Sequence, residues 1–181
     1  MTTPSPTPPQ RYDRITRWLH GGMAIYLFGM IGLGFYATSL GYYDPLYHRA
    51  TDWHRSFGFF IWMLFFVRLG WRITHPAPPF SPNLSQWERR AARLTHAGLY
   101  MLLFIIPIAG YLLSTADGRG IQIFDWFTLP ALLPAAKGRE TLAGAAHLWL
   151  TIFFICLILL HLMAALKHHF IDRDGILRRI W

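Results

Sequence analysis

Nine histidines in a 181-residue chain, several set inside long apolar stretches, are the residues whose types and spacing offer chemistry. His147 and His161 lie fourteen positions apart in one such stretch. At 100° per residue both fall on one helix face, roughly 21 Å apart along the axis. One metal ion cannot use two ligands that far apart, whereas two separate sites can. Each site then needs a second histidine at the same depth on another helix. His54 opens an apolar stretch at the level of His147, and His20 opens another at the level of His161. Zinc would want three or four clustered nitrogen, sulfur or oxygen ligands, and no carboxylate or thiolate neighbours these positions. Six-coordinate haem iron takes two axial ligands on opposite faces of a flat ring, which two helices facing across a bundle supply. A single buried histidine is more often a hydrogen-bonded core residue; four that pair by depth point to two bis-histidine haems. The chain has no C-x-x-C-H, so these haems are expected to be non-covalent and b-type.

Small residues near the histidines offer room for a ring: Gly21 and Gly22 beside His20, Ser56 and Gly58 after His54, Gly144 and Ala146 before His147. His96 stands open between a spare ligand, a proton-handling group and an interfacial residue. Lys167 and His168, past His161, either donate to a quinone headgroup or are solvated interfacial groups. His48 and His75 read as loop residues, His169 as a basic helix-end residue, and Cys156 and Met63 as packing.

These residues must be held by something that lives in lipid. Apolar residues make up 54% of the chain, aromatics 17% and charged residues only 14%, too little charge to cover a water-soluble surface. A lone Cys156 excludes a disulfide framework and thiolate metal clusters. Charge-free runs from Trp18 to Tyr43, Leu94 to Ala116 and Thr141 to Leu166, with a weaker run from Ser56 to Val67 flanked by snorkelling Arg55 and Arg68, give four spans. The expected spans are about 15–37, 52–73, 94–115 and 142–167 within a domain over 11–177, followed by a short end over 178–181. Residues 1–10, a Pro/Thr/Ser tail, are expected to be disordered and are no signal peptide. The fold class is therefore all-α, a membrane four-helix bundle with the haems in its core. With the N-terminus inside, the cytoplasmic side collects twelve basic and four acidic residues and the outer side five of each. All of the +8 falls on one face, which predicts that both termini are cytoplasmic. The charge excess is thereby explained, and nucleic-acid binding loses its support. On the outer side, Arg55, Arg119, Lys137 and Arg139 are candidates for attracting an anionic donor or pairing with haem propionates, or else are ordinary loop charge. The apolar outer loop IQIFDWFTLPALLPAA, broken by Pro130 and Pro134, is too short to span. Its Phe124, Trp126 and Phe127 suit the membrane interface.

The ordered set of motifs resembles the bacterial di-haem cytochrome b561 family, which includes the membrane superoxide oxidase. The set is R-I-T-R-W-L-H at the first helix, H-R-S-F-G opening the second and V-R-L-G-W-R closing it, then H-P-A-P-P. L-Y-M-L-L-F-I-I-P in the third helix, and two histidines with thirteen residues between them and a later K-H-H in the fourth, complete it. The resemblance covers nearly all of Arg11 to Leu177. It implies axial ligands at His20, His54, His147 and His161, the set also reached from depth. Where the family often has an acidic residue after the first histidine of the fourth helix this chain has Leu148, and where it often has H-W this chain has His20-Gly21. The resemblance further implies a bacterial inner-membrane protein that takes electrons one at a time from a periplasmic donor, superoxide being the candidate, and passes them to ubiquinone. Two rival classes remain: a cytochrome b subunit anchoring a hydrogenase or formate dehydrogenase, and a colourless transporter or assembly factor.

Overall fold

The computed structural model describes residues 11–81 and 84–181; the tail over residues 1–10, expected to be disordered, lies outside them. Four long helices dominate: α1 (Arg14–Ser39), α2 (Tyr47–Thr74), α3 (Gln86–Ser114) and α4 (Arg139–Lys167). Each has 26 to 29 residues and is long and apolar enough to cross a membrane. Lipid offers no partner for backbone N–H and C=O groups, so these apolar runs satisfy them internally as helix. Trp18, Ile25, Leu94, Leu142 and Trp149 point outward, the surface a bilayer would cover. The protein is a multi-pass membrane bundle.

The helix ends are written in local chemistry. Asp13 caps α1 by accepting from the Thr16 N–H at 2.9 Å. Ser85 and Glu88 form a reciprocal capping box at α3, which therefore begins eight residues ahead of its expected span. α2 begins at Tyr47, so His48 lies inside a helix rather than in a loop. His75 is the C-cap of α2 and stacks flat on Trp71 at 3.8 Å, again not a free loop residue. Cys156 lies on the outer surface of the bundle.

Two hairpins build the bundle, α1 with α2 and α3 with α4, joined through α2 against α3. α4 leans on α3 and stands off from α1 and α2. Midway along, Met23, Ile61, Phe65, Leu102, Leu103 and Phe154 close one shared core. Phe154 is seven residues from both His147 and His161, so this core separates two histidine levels.

At one end of the bundle the residues leading into α1 meet the C-terminal segment. The Tyr12 N–H donates to the Arg179 carbonyl at 3.0 Å, and Trp71 Nε1 donates to Asp13 at 3.1 Å. The Arg179 guanidinium donates to the Pro79 carbonyl at 2.7 Å, tying the C-terminal segment to the α2–α3 connection. This is the basic end. At the opposite, neutral end the α3–α4 connection, read from the sequence as an apolar loop broken by Pro130 and Pro134, has structure of its own. It contains an antiparallel hairpin, β1 (Ile121–Ile123) paired with β2 (Phe127–Leu129). Ile121 and Ile123 turn inward, and the buried Ser56 hydroxyl accepts the Phe124 N–H at 2.8 Å. Phe124, at φ 42°, packs on Phe57 and Phe60 of α2, so the aromatic loop is folded onto the bundle and not merely laid at the interface.

Candidate functional site

At the neutral end His54 of α2 faces His147 of α4, with ring centres 6.2 Å apart and planes at 87°. The two helices do not pack closely, and the imidazoles reach across the gap between them. His147 Nδ1 lies 3.0 Å from the Ile106 carbonyl of α3. A carbonyl only accepts, so Nδ1 carries the proton and Nε2 is left with a free lone pair. His54 Nδ1 is buried and has no hydrogen-bond partner. Around the pair opens a cavity of about 1550 Å³, lined by Gly34, Gly110 and Thr151 among others. Ordinary small-molecule sites hold roughly 300–1,000 Å³, so this one has room for a large flat ligand. The Thr151 hydroxyl within it is buried without a partner.

The four outer cations divide in two. Arg55 and Lys137 line the cavity, Arg55 pairing with Asp52 at 3.1 Å. Arg119 does not line it but pairs at 2.6 Å with Asp117, which does. Hydrogen bonds from the Arg119 backbone and guanidinium hold the Asp117 carboxyl below its ordinary range. Arg139 donates to the Thr115 and Ala116 carbonyls at 2.9 and 3.1 Å, closing the last turn of α3 and tying α4 to it.

At the basic end His20 of α1 faces His161 of α4, also at 6.2 Å, but tilted at 58°. This pair is crowded. His96 of α3 stands 5.2 Å from His161, and the Trp181 indole meets His20 edge-on at 6.4 Å. His20 Nδ1 is buried without a partner. Nearby, Lys167 bridges Glu88 at 3.0 Å and Asp172 at 2.7 Å, while His168 reaches Asp172 and Asp174 at 2.9 and 2.7 Å. Glu88, His168 and Asp172 are close enough to share a cation, but the Lys167 ammonium already bonds both carboxylates. These residues lie in and beside a wide π-helical turn, His168–Asp172, that ends α4.

A metal–imidazole bond of about 2.0–2.1 Å, with about 1.1 Å from nitrogen to ring centre, puts two trans imidazoles about 6.2–6.4 Å apart. Both pairs have that separation. Over residues 11–181 the chain matches the family described as prokaryotic cytochrome b561. The chain belongs to the cytochrome b561 family. It is 44% identical over 172 residues to cytochrome b561 homolog 2 of Escherichia coli, covering 95% of this chain and 92% of that protein. Cytochrome b561 homolog 1 of the same organism is 29% identical over 134 residues, 74% of this chain and 76% of the relative. A probable superoxide oxidase of Yersinia pestis is 30% identical over 132 residues, 70% of this chain and 72% of the relative. As a cytochrome b561 the chain is a membrane electron-transfer protein of a family that binds b-type haem.

Some of the site was not visible in the cytochrome's sequence. Gly58 and Gly144 line the cavity, while the glycines that meet the histidine rings themselves are Gly34 and Gly110, on the neighbouring helices. A Cβ on Gly21 would meet Trp181, one on Gly58 Met30 and one on Gly144 Leu113, while Gly22 faces open space. Ser56 does not line the cavity; its hydroxyl anchors the hairpin. Trp181 carried no signal at all, because its partner is 161 positions away.

Proposed function

We propose that this cytochrome holds two haem b groups, one between His54 and His147 and one between His20 and His161. The observation that carries the reading is the shared 6.2 Å ring separation, which suits one iron between each pair. The hydrogen bond that usually orients a ligating imidazole is present at His147 Nδ1, whereas Nδ1 of His20 and His54 is buried without a partner. A haem with two histidine ligands supplies reversible one-electron transfer with no open coordination position.

The chain's own residues do the rest. His147 is held in its ligating tautomer by the Ile106 carbonyl. The mid-bundle core of Ile61, Phe65, Leu102 and Phe154 keeps the interval between the two levels dry. Counted along α4, the levels lie about 21 Å apart. Arg55 and Lys137, on a cavity that Asp117 and Glu140 also line, are the cations available there to propionates or to an approaching anion. The charge excess at the other end supports an orientation with both termini in the bacterial cytoplasm and the neutral end facing out.

In this orientation the protein acts as a superoxide:ubiquinone oxidoreductase of the inner membrane. Two superoxide anions give two electrons, leaving two molecules of oxygen; one ubiquinone takes those electrons and two protons to become ubiquinol. Lys167, His168 and His96 near the basic-end pair are the candidates for quinone or proton handling. The name of the Yersinia relative supports superoxide as donor. The first experiment is an absorption spectrum of purified protein with a pyridine haemochrome count, expected to give two haem b per chain. With ubiquinone added, superoxide loss should run well beyond spontaneous dismutation, and no acceleration would refute this donor. Co-purification of a hydrogenase or dehydrogenase would point instead to a relay subunit.

A further inference from the structure

Gly34 and Gly110 occupy equivalent places at the neutral end, on α1 and α3, the two helices that carry no histidine there. A Cβ built on Gly34 would stand 3.0 Å from His54 Cε1, and one on Gly110 would stand 3.1 Å from both Cε1 and Nδ1 of His147. Carbon atoms rest at about 3.5–4.0 Å, so either methyl would drive its ring back by several tenths of an ångström. Each imidazole is therefore seated in a notch on the helix opposite its own. His54 lies against α1 and His147 against α3, and the two seats leave the ring planes at 87°. The basic-end pair has no such seats. A Cβ on Gly21 would meet Trp181 and not His20, and those rings stand at 58°.

We infer that Gly34 and Gly110 are positioning residues that set the spacing and the perpendicular planes of the His54 and His147 imidazoles. The inference rests on those histidines being a haem's axial pair. The two notches differ in stiffness. Pushing His147 away from α3 stretches its 3.0 Å hydrogen bond to Ile106, whereas His54 has no such bond to lose. Gly110 is thus the more sensitive position.

The mutual angle of two axial imidazoles governs the anisotropy of a low-spin ferric haem, so electron paramagnetic resonance reads this geometry directly. Full-length protein, oxidised in detergent, should give two low-spin signals, the more anisotropic one from the perpendicular pair. Gly110→Ala should shift or erase that signal, with haem falling from two per chain towards one. Gly34→Ala should shift it less. Gly32→Ala, two residues from Gly34 with nothing within 4 Å of its Cβ position, should change neither signal. The second signal, unmoved in every variant, shows that the bundle is folded. Unchanged spectra in both Gly34→Ala and Gly110→Ala, or equal displacement of the two signals, would overturn the inference. Wild-type protein lacking two haems would instead overturn the ligand assignment beneath it.

Discussion

The two histidine pairs share one separation, 6.2 Å, and differ in nearly everything around it. The neutral-end pair is open and braced: a cavity of about 1550 Å³, glycine seats on two helices and a carbonyl fixing one tautomer. The basic-end pair is packed by aromatic neighbours, with His96 on one ring and Trp181 on the other, and neither His20 nor His161 lines the large cavity. A common separation in unlike surroundings is what the proposed haems would impose on both pairs, while the surroundings answer to local packing. On that proposal the two sites would be of one chemical type and tuned independently, since bis-histidine sites are adjusted through hydrogen bonds, burial and ring orientation.

That independence can be broken most severely at the ligands. His147→Ala and His161→Ala should each remove one haem, lowering the pyridine haemochrome count from two per chain to one; a variant losing both would show that the sites fold as a unit. Next in size, Arg139→Ala removes the charged donor to the Thr115 and Ala116 carbonyls at the neutral end, leaving them only the Gly118 and Ala136 N–H groups. Hydrogen bonds to charged groups contribute about 1.5–3 kcal/mol. The outer haem's absorbance should therefore be lost at lower temperature while the inner haem's holds. Ser56→Ala leaves the Phe124 N–H without its acceptor, at a penalty of about 1–3 kcal/mol, and should loosen the hairpin in hydrogen exchange. At the other end, Trp181→Ala removes an edge-on contact of about 0.5–1.5 kcal/mol and should alter only the basic-end haem's potential.

The smallest effect belongs to the exposed Arg119–Asp117 pair. The folded carboxyl titrates below its unfolded value, so what the pair contributes is present above the ordinary carboxylate range and is lost as pH falls through the lowered value. Exposed pairs contribute little, and Arg119→Ala should leave Tm at neutral pH unchanged. A weaker salt dependence of the reaction with superoxide would be its only trace.

Much of this molecule can be read along the chain because membranes impose one-dimensional rules. Four apolar runs long enough to span, and a charge excess confined to alternate connections, require no knowledge of packing. The fourteen-residue interval from His147 to His161 places two sites on one face of α4 by helix geometry alone, and depth then pairs them with His54 and His20. The hairpin was hidden because three-residue strands barely alternate, and its anchor is the Ser56 hydroxyl, 68 positions from Phe124. His48 and His75 were misread because α2 carries polar turns beyond the apolar run that marks its span.

What the sequence by itself determined is therefore depth: which residues lie at which level of the bilayer, since each helical residue adds a constant rise. What only the tertiary structure decided is azimuth. How far each helix turns about its axis is settled by packing against its neighbours, and no period in one helix records it. That rotation brings Gly34 to His54, Gly110 to His147, His96 to His161 and Trp181 to His20, and so makes one site open and the other closed.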